Sequence, residues 1–120
     1  MRLGIAILAA EATPLCKTGG LADVVGALAV GLRGAGHDAR LFIPGYAAID
    51  RQRFAPEPIE RLQSLAVTLG PHRYVFAVEQ LRLADSAVPV YLLDCPVLYG
   101  RPALYTTDPD EHLRFLAFTH

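Results

Sequence analysis

Residues 3–9, Leu-Gly-Ile-Ala-Ile-Leu-Ala, form an apolar run without alternation, the pattern of a central parallel strand buried on both faces. Residues 11–20 then hold Thr13, Pro14, Lys17, Thr18 and the pair Gly19-Gly20, a composition that predicts a loop. Leu21, Val24, Val25, Leu28 and Leu32 follow at helical spacing, with only Asp23 and Arg33 breaking a nonpolar surface, so a helix covered on more than one side is expected. Gly34-Ala35-Gly36 supplies the chemistry of a helix end, and residues 39–43 resume a short apolar strand closed by Pro44-Gly45. Strand, loop, helix, turn and strand make a βαβ unit, which predicts an open, doubly wound α/β sheet.

Past Tyr46 the pattern changes. Arg51, Gln52, Arg53, Pro56, Glu57 and Pro58 read as a polar connection, and residues 62–69 and 73–83 alternate around Gly70-Pro71-His72, which predicts an inserted β-hairpin. Residues 88–93 read as another buried strand and residues 97–107 as a loop. Asp108-Pro109-Asp110-Glu111 has the order of a helix start, with Asp108 as N-cap, Pro109 at the first helical position and acids in the first turn. Leu113, Phe115, Leu116 and Phe118 then give an apolar face, and no glycine or proline stop precedes His120. The expectation is a helix begun and cut off, in a fold that continues beyond the sequence.

Composition narrows the function. The chain has 120 residues, 52% hydrophobic and 19% charged, with a net charge of −1. That excludes a disordered chain, and it supplies no electrostatic footprint for nucleic acid or an anionic membrane. One domain is expected at this length. The two cysteines, Cys16 and Cys95, are too few for a disulfide framework and point to a reducing compartment, the cytoplasm. His37, His72, His112 and His120 include no close pair suited to a shared metal ion, so no metal site is expected. The acids at Asp108, Asp110 and Glu111, with His112, read as a helix start.

Chemistry concentrates in the loop after the first strand. In an open α/β sheet, ligands bind beyond the carboxyl ends of the strands. Two glycines admit close backbone approach, a helix N-terminus favours negative charge, and Lys17 adds a full positive charge, a combination suited to a diphosphate. The order of residues is neither a Walker loop nor a G-x-G-x-x-G fingerprint.

The longer string from Glu11 through Thr13-Pro14, Lys17-Thr18-Gly19-Gly20-Leu21-Ala22-Asp23-Val24 to Leu28 closely resembles the E-x-x-P-x-x-K-T-G-G-L-A-D-V signature of bacterial glycogen synthases and plant starch synthases. Gly36-His37-Asp38-Ala39-Arg40, the Val88 to Asp94 strand and Arg114-Phe115 with Phe118 resemble later parts of that family, in the same order. The resemblance implies a partial Rossmann-like sheet, the N-terminal part of a two-domain GT-B glycosyltransferase whose C-terminal domain is absent from residues 1–120. It further implies a retaining enzyme that moves glucose from ADP-glucose to the nonreducing end of an α-1,4-glucan such as glycogen, without a cofactor.

By that resemblance, Lys17 contacts the sugar nucleotide, and the Gly19 and Gly20 backbone lies beside the diphosphate or glucose. Asp23 either touches the ligand or only favours the helix dipole. Glu11 either faces substrate or is a structural carboxylate. Tyr99 and Arg101 either meet the acceptor or anchor their loop. The main catalytic groups are expected outside this chain, which makes activity of the chain alone improbable. Two other readings remain: a noncatalytic nucleotide- or phosphate-binding module, and one half of a split glycosyltransferase whose second domain is a separate chain.

Overall fold

The apolar run, the glycine-bearing loop and the second run fold as the βαβ unit that their order predicts. In the computed structural model, which describes residues 1–120, β1 (Gly4–Leu8) lies parallel to β2 (Asp38–Pro44), in register from Gly4 opposite Asp38 to Leu8 opposite Phe42. The crossover between them is α1 (Gly20–Gly34). It ends as the glycines predict, with Gly36 at a φ of 93°, a conformation that side chains with a Cβ rarely adopt.

Next come α2 (Arg51–Phe54), β3 (Glu57–Pro58), a 3-10 turn at Glu60–Leu62, β4 (Leu65–Leu69), β5 (His72–Arg82), β6 (Pro89–Asp94), α3 (Pro96–Tyr99) and α4 (Glu111–Thr119). The predicted hairpin is β4 and β5, paired antiparallel with Leu69 opposite His72. Its turn is Gly70-Pro71, with Gly70 at a positive φ of 57°, as a two-residue hairpin turn with glycine in first place requires. The hairpin is not a separate insertion. β5 also pairs antiparallel with β6, and β6 pairs parallel with β2. The result is one mixed sheet in the order β1-β2-β6-β5-β3, with β4 also on β5.

One continuous core of 22 buried residues joins these layers. Leu41 and Ile43 of β2 and Val90 and Leu92 of β6 are fully buried in it, together with Val25 and Ala29 from one face of α1. Gly26 lies on that face beside the loop before α1. A Cβ at this position would sit 2.6 Å from the Thr13 carbonyl oxygen, inside any allowed contact distance. Gly26→Ala is therefore expected to cost about 1–3 kcal/mol, the usual range for forced overpacking. Chemical denaturation with an unchanged m-value reads that loss, and a variant as stable as the parent would mean that the turn at Thr13 yields freely.

Two apolar surfaces stay bare within residues 1–120, and one predicted helix start shifts. β1 pairs with β2 alone among these residues, and Leu8 is 57% exposed. α1 is covered on a single side, with Leu21, Val24, Leu28 and Val30 all open to solvent. The sequence states that both surfaces are apolar, but within these residues nothing packs on them. The last helix begins at Glu111 with Asp110 at its N-cap, not Asp108, and neither acid caps through its side chain. Both carboxylates bind the Arg101 guanidinium instead, because a two-pronged charged pair outweighs a single cap bond. No helix is long and apolar enough to cross a membrane.

Candidate functional site

The loop between β1 and α1 lies beyond the carboxyl end of β1, where an open sheet presents its ligand crevice. It is tied down from beneath by Glu11. This carboxylate is 1% exposed. One oxygen accepts from the backbone N–H groups of Gly19 and Ala22 at 3.3 and 3.2 Å, and the other from the Thr18 hydroxyl at 2.6 Å and the Tyr105 hydroxyl at 2.9 Å. Burial pushes the Glu11 carboxyl up, yet the Thr18 and Tyr105 hydroxyls and the Thr18 and Gly19 backbone outweigh it and hold it below the usual carboxylate range. The four hydrogen bonds that the Glu11 carboxylate accepts tie residues 18–22 to Tyr105 through one side chain.

Glu11 thereby takes the place at the helix N-terminus that the glycine pattern reserves for an anion. Part of the site stays open. The Gly20 and Leu21 N–H groups donate to nothing within the chain, and a Cβ added to Gly19 or Gly20 would meet no atom within 4 Å. Gly19 is extended, at a φ of −165°, so neither backbone strain nor crowding inside the chain calls for glycine at these positions. The remaining reason is access to the backbone from outside.

Lys17 supplies the positive charge. Its ammonium lies 2.6 Å from Asp23, and both side chains are 52% exposed. Asp23 also accepts from the Thr13 hydroxyl at 2.7 Å. Hydrogen bonds from Lys17 and Thr13 hold the Asp23 carboxyl below its ordinary value. Asp23 thus does more than face the helix dipole: it pairs with Lys17 at the mouth of the loop. Lys17, Gly19, Gly20, Asp23 and Glu11 are brought together as their sequence proximity suggests, with the first four at the surface and Glu11 beneath them. Beside Asp23, a cavity of about 660 Å³ opens along α1 past Gly26 and Val30 to Arg53, Phe54 and Arg82.

The sequence carries no signal for Tyr105 as the partner of Glu11. The tyrosine lies on the loop before α4, 94 positions from Glu11 in sequence, and no local pattern announces such a partner. Burial and its bond to Glu11 push its phenol up to about 12, so it remains a donor at neutral pH. Tyr99 and Arg101 resolve as anchors. Tyr99 is fully buried with its hydroxyl donating to the Arg114 carbonyl, and Arg101 is spent on Asp108, Asp110 and the Val97 carbonyl. The thiols of Cys16 and Cys95 are free and buried, and burial pushes Cys16 up to about 11, which leaves it unreactive. No group of three or more His, Cys, Asp or Glu side chains is placed to hold a metal ion.

Residues 4–120 match the family described as starch synthase catalytic domain. The chain belongs to that family. Among its relatives, glycogen synthase 1 of Geobacter sulfurreducens is 42% identical over 107 residues, covering 89% of this chain and 21% of the relative. A glycogen synthase of Burkholderia thailandensis is 44% identical over 108 residues, 87% of this chain and 19% of the relative. One of Ralstonia nicotianae is 39% identical over 126 aligned positions, 100% of this chain and 22% of the relative. The chain therefore spans about a fifth of the length of the curated relatives it matches. The catalytic domain of starch synthase IV from Arabidopsis thaliana, solved bound to ADP and acarbose, superposes with a TM-score of 0.86 at 24% identity, over 99% of this chain and 24% of that one. That likeness establishes the fold. The matched residues include the Glu11-to-Asp23 segment just described.

Proposed function

We propose that these residues form part of the N-terminal domain of a two-domain, retaining GT-B glucosyltransferase of the glycogen and starch synthase type. In this reading it moves glucose from ADP-glucose to the nonreducing end of an α-1,4-glucan in the cytoplasm. The observation that carries the proposal is the loop at the end of β1: an exposed Lys17 held by Asp23, beside two glycines whose backbone is open to solvent at a helix start. A diphosphate needs a positive charge and unpartnered N–H donors at one place, and this loop offers both.

Lys17 binds the sugar nucleotide, Gly19 and Gly20 admit it, and Asp23 orients the lysine. Glu11 holds the loop from below. The acetal chemistry and the rest of the nucleotide contacts come from a second domain, in the same polypeptide or a separate one, and the 120-residue chain alone is inactive. The open apolar surfaces of β1 and α1 support a larger assembly, as does the length of the relatives. The ADP held by the starch synthase IV structure supports the adenine nucleotide.

A hybrid tests this directly. The matching segment of the Geobacter sulfurreducens relative is replaced by this chain, and labelled glucose incorporation into glycogen is measured from ADP-glucose and from UDP-glucose. Incorporation from ADP-glucose is the expected result. Saturable ADP-glucose binding by a folded hybrid without transfer would sink the glucosyltransferase reading and favour a binding module.

A further inference from the structure

We propose that Tyr105 is a positioning residue for the Lys17-to-Gly20 loop, acting through Glu11; this rests on the reading of that loop as the donor site. Glu11 bonds both Thr18 and the start of α1, beside the Thr13 N–H that donates to the Ala22 carbonyl at 3.0 Å, and one of its two oxygens is shared between Thr18 and Tyr105. A carboxylate with a single donor on that oxygen could rotate. With a second donor from a segment distant in sequence its plane is set more firmly, and with it the placement of the Gly19 and Ala22 N–H groups on the other oxygen.

The segment that presents Tyr105 is itself heavily constrained. Both Arg101 terminal nitrogens reach Asp110 at 2.6 Å. Glu111 accepts from the Thr106 backbone and hydroxyl and pairs with Arg114 at 2.9 Å. Arg114 donates in turn to the Leu98 and Leu104 carbonyls. The Tyr105 ring lies 5.7 Å from that of Phe115, tilted by 41°. The entropy of ordering this loop is already met by these contacts, so the hydroxyl reaches Glu11 with little further loss. Two halves of the chain far apart in sequence thus meet at one carboxylate, and the geometry of α4 is passed to the mouth of the loop.

Tyr105→Phe keeps the ring on Phe115 and removes only the hydroxyl. Hydrogen exchange on the chain is expected to quicken about tenfold at the Gly19 and Ala22 amides, in line with loss of one bond to a charged acceptor, while β2 and β6 amides keep their rates. Unchanged exchange at Gly19 and Ala22 would overturn the proposal. In the hybrid synthase, the KM for ADP-glucose should rise about tenfold with the KM for glucan unchanged. Tyr105→Phe should add nothing in a Glu11→Ala background, since the hydroxyl then has no partner. A rise in glucan KM alone, or an undiminished effect without Glu11, would mean that Tyr105 acts directly on the acceptor and not through the loop. A parent hybrid that transfers no glucose would instead count against the donor-site reading, and the exchange rates would still decide the role of Tyr105.

Discussion

Replacing Lys17 with alanine is expected to lower kcat/KM for glucose transfer about a hundredfold in a synthase-length polypeptide while leaving the fold intact. The first half follows from charge. A hydrogen bond between an ammonium and a phosphate oxygen contributes about 1.5–3 kcal/mol, and no other cation lies in the loop to replace it. The second half follows from exposure. Lys17 and Asp23 are half open to water, where a pair gains little from Coulomb attraction against solvent and salt, so the melting temperature should not move. Lys17→Arg distinguishes a generic charge from a placed one, because the planar fork cannot sit on Asp23 as the ammonium does. Unaltered kinetics in Lys17→Ala would remove the loop from the donor site and with it the main support for the proposed function.

The largest loss of stability should come from Arg114→Ala, at about 3–5 kcal/mol. Arg114 is fully buried. It bonds the Leu98 carbonyl at 2.6 Å, the Leu104 carbonyl at 2.9 Å and the Glu111 carboxylate at 2.9 Å, and its guanidinium lies 5.6 Å from the Phe115 ring centre. Removing it strips the donor from two buried carbonyls, takes the cation from the partly exposed Glu111 and opens a cavity in the core, which together cost about that much. One terminal nitrogen, Nη2, has no partner, so the arrangement is not optimal for stability alone. Arg114→Met should consequently cost less than Arg114→Ala, since it fills the space without an unpaired donor. Denaturant midpoints at constant m rank the three proteins, and an alanine variant within about 1 kcal/mol of the parent would show that loop 98–111 does not depend on this side chain.

The difference between these two residues marks what was legible in the sequence. The βαβ unit, the hairpin at Gly70-Pro71 and the exposed Lys17-to-Gly20 loop are written locally, in apolar spacing and turn residues a few positions apart. A period of two or 3.6, or a glycine needing positive φ, acts within its own segment whatever the rest of the chain does. The resemblance to the starch synthase signature lay in the same local string. What the sequence could not assign was the partner of each polar side chain. Asp108 reads as a helix cap and binds Arg101 instead; Glu11 reads equally as a substrate-facing or a structural carboxylate, and the sequence names no partner for it, whereas the fold brings it the Tyr105 hydroxyl from 94 positions away; β5 reads as half of a hairpin and also joins β6 in the main sheet. An acid can serve any nearby donor, and a strand can pair on either edge. The choice falls to whichever packing leaves the fewest buried polar groups unpaired, a condition set by residues far apart along the chain and met only when the whole fold is assembled.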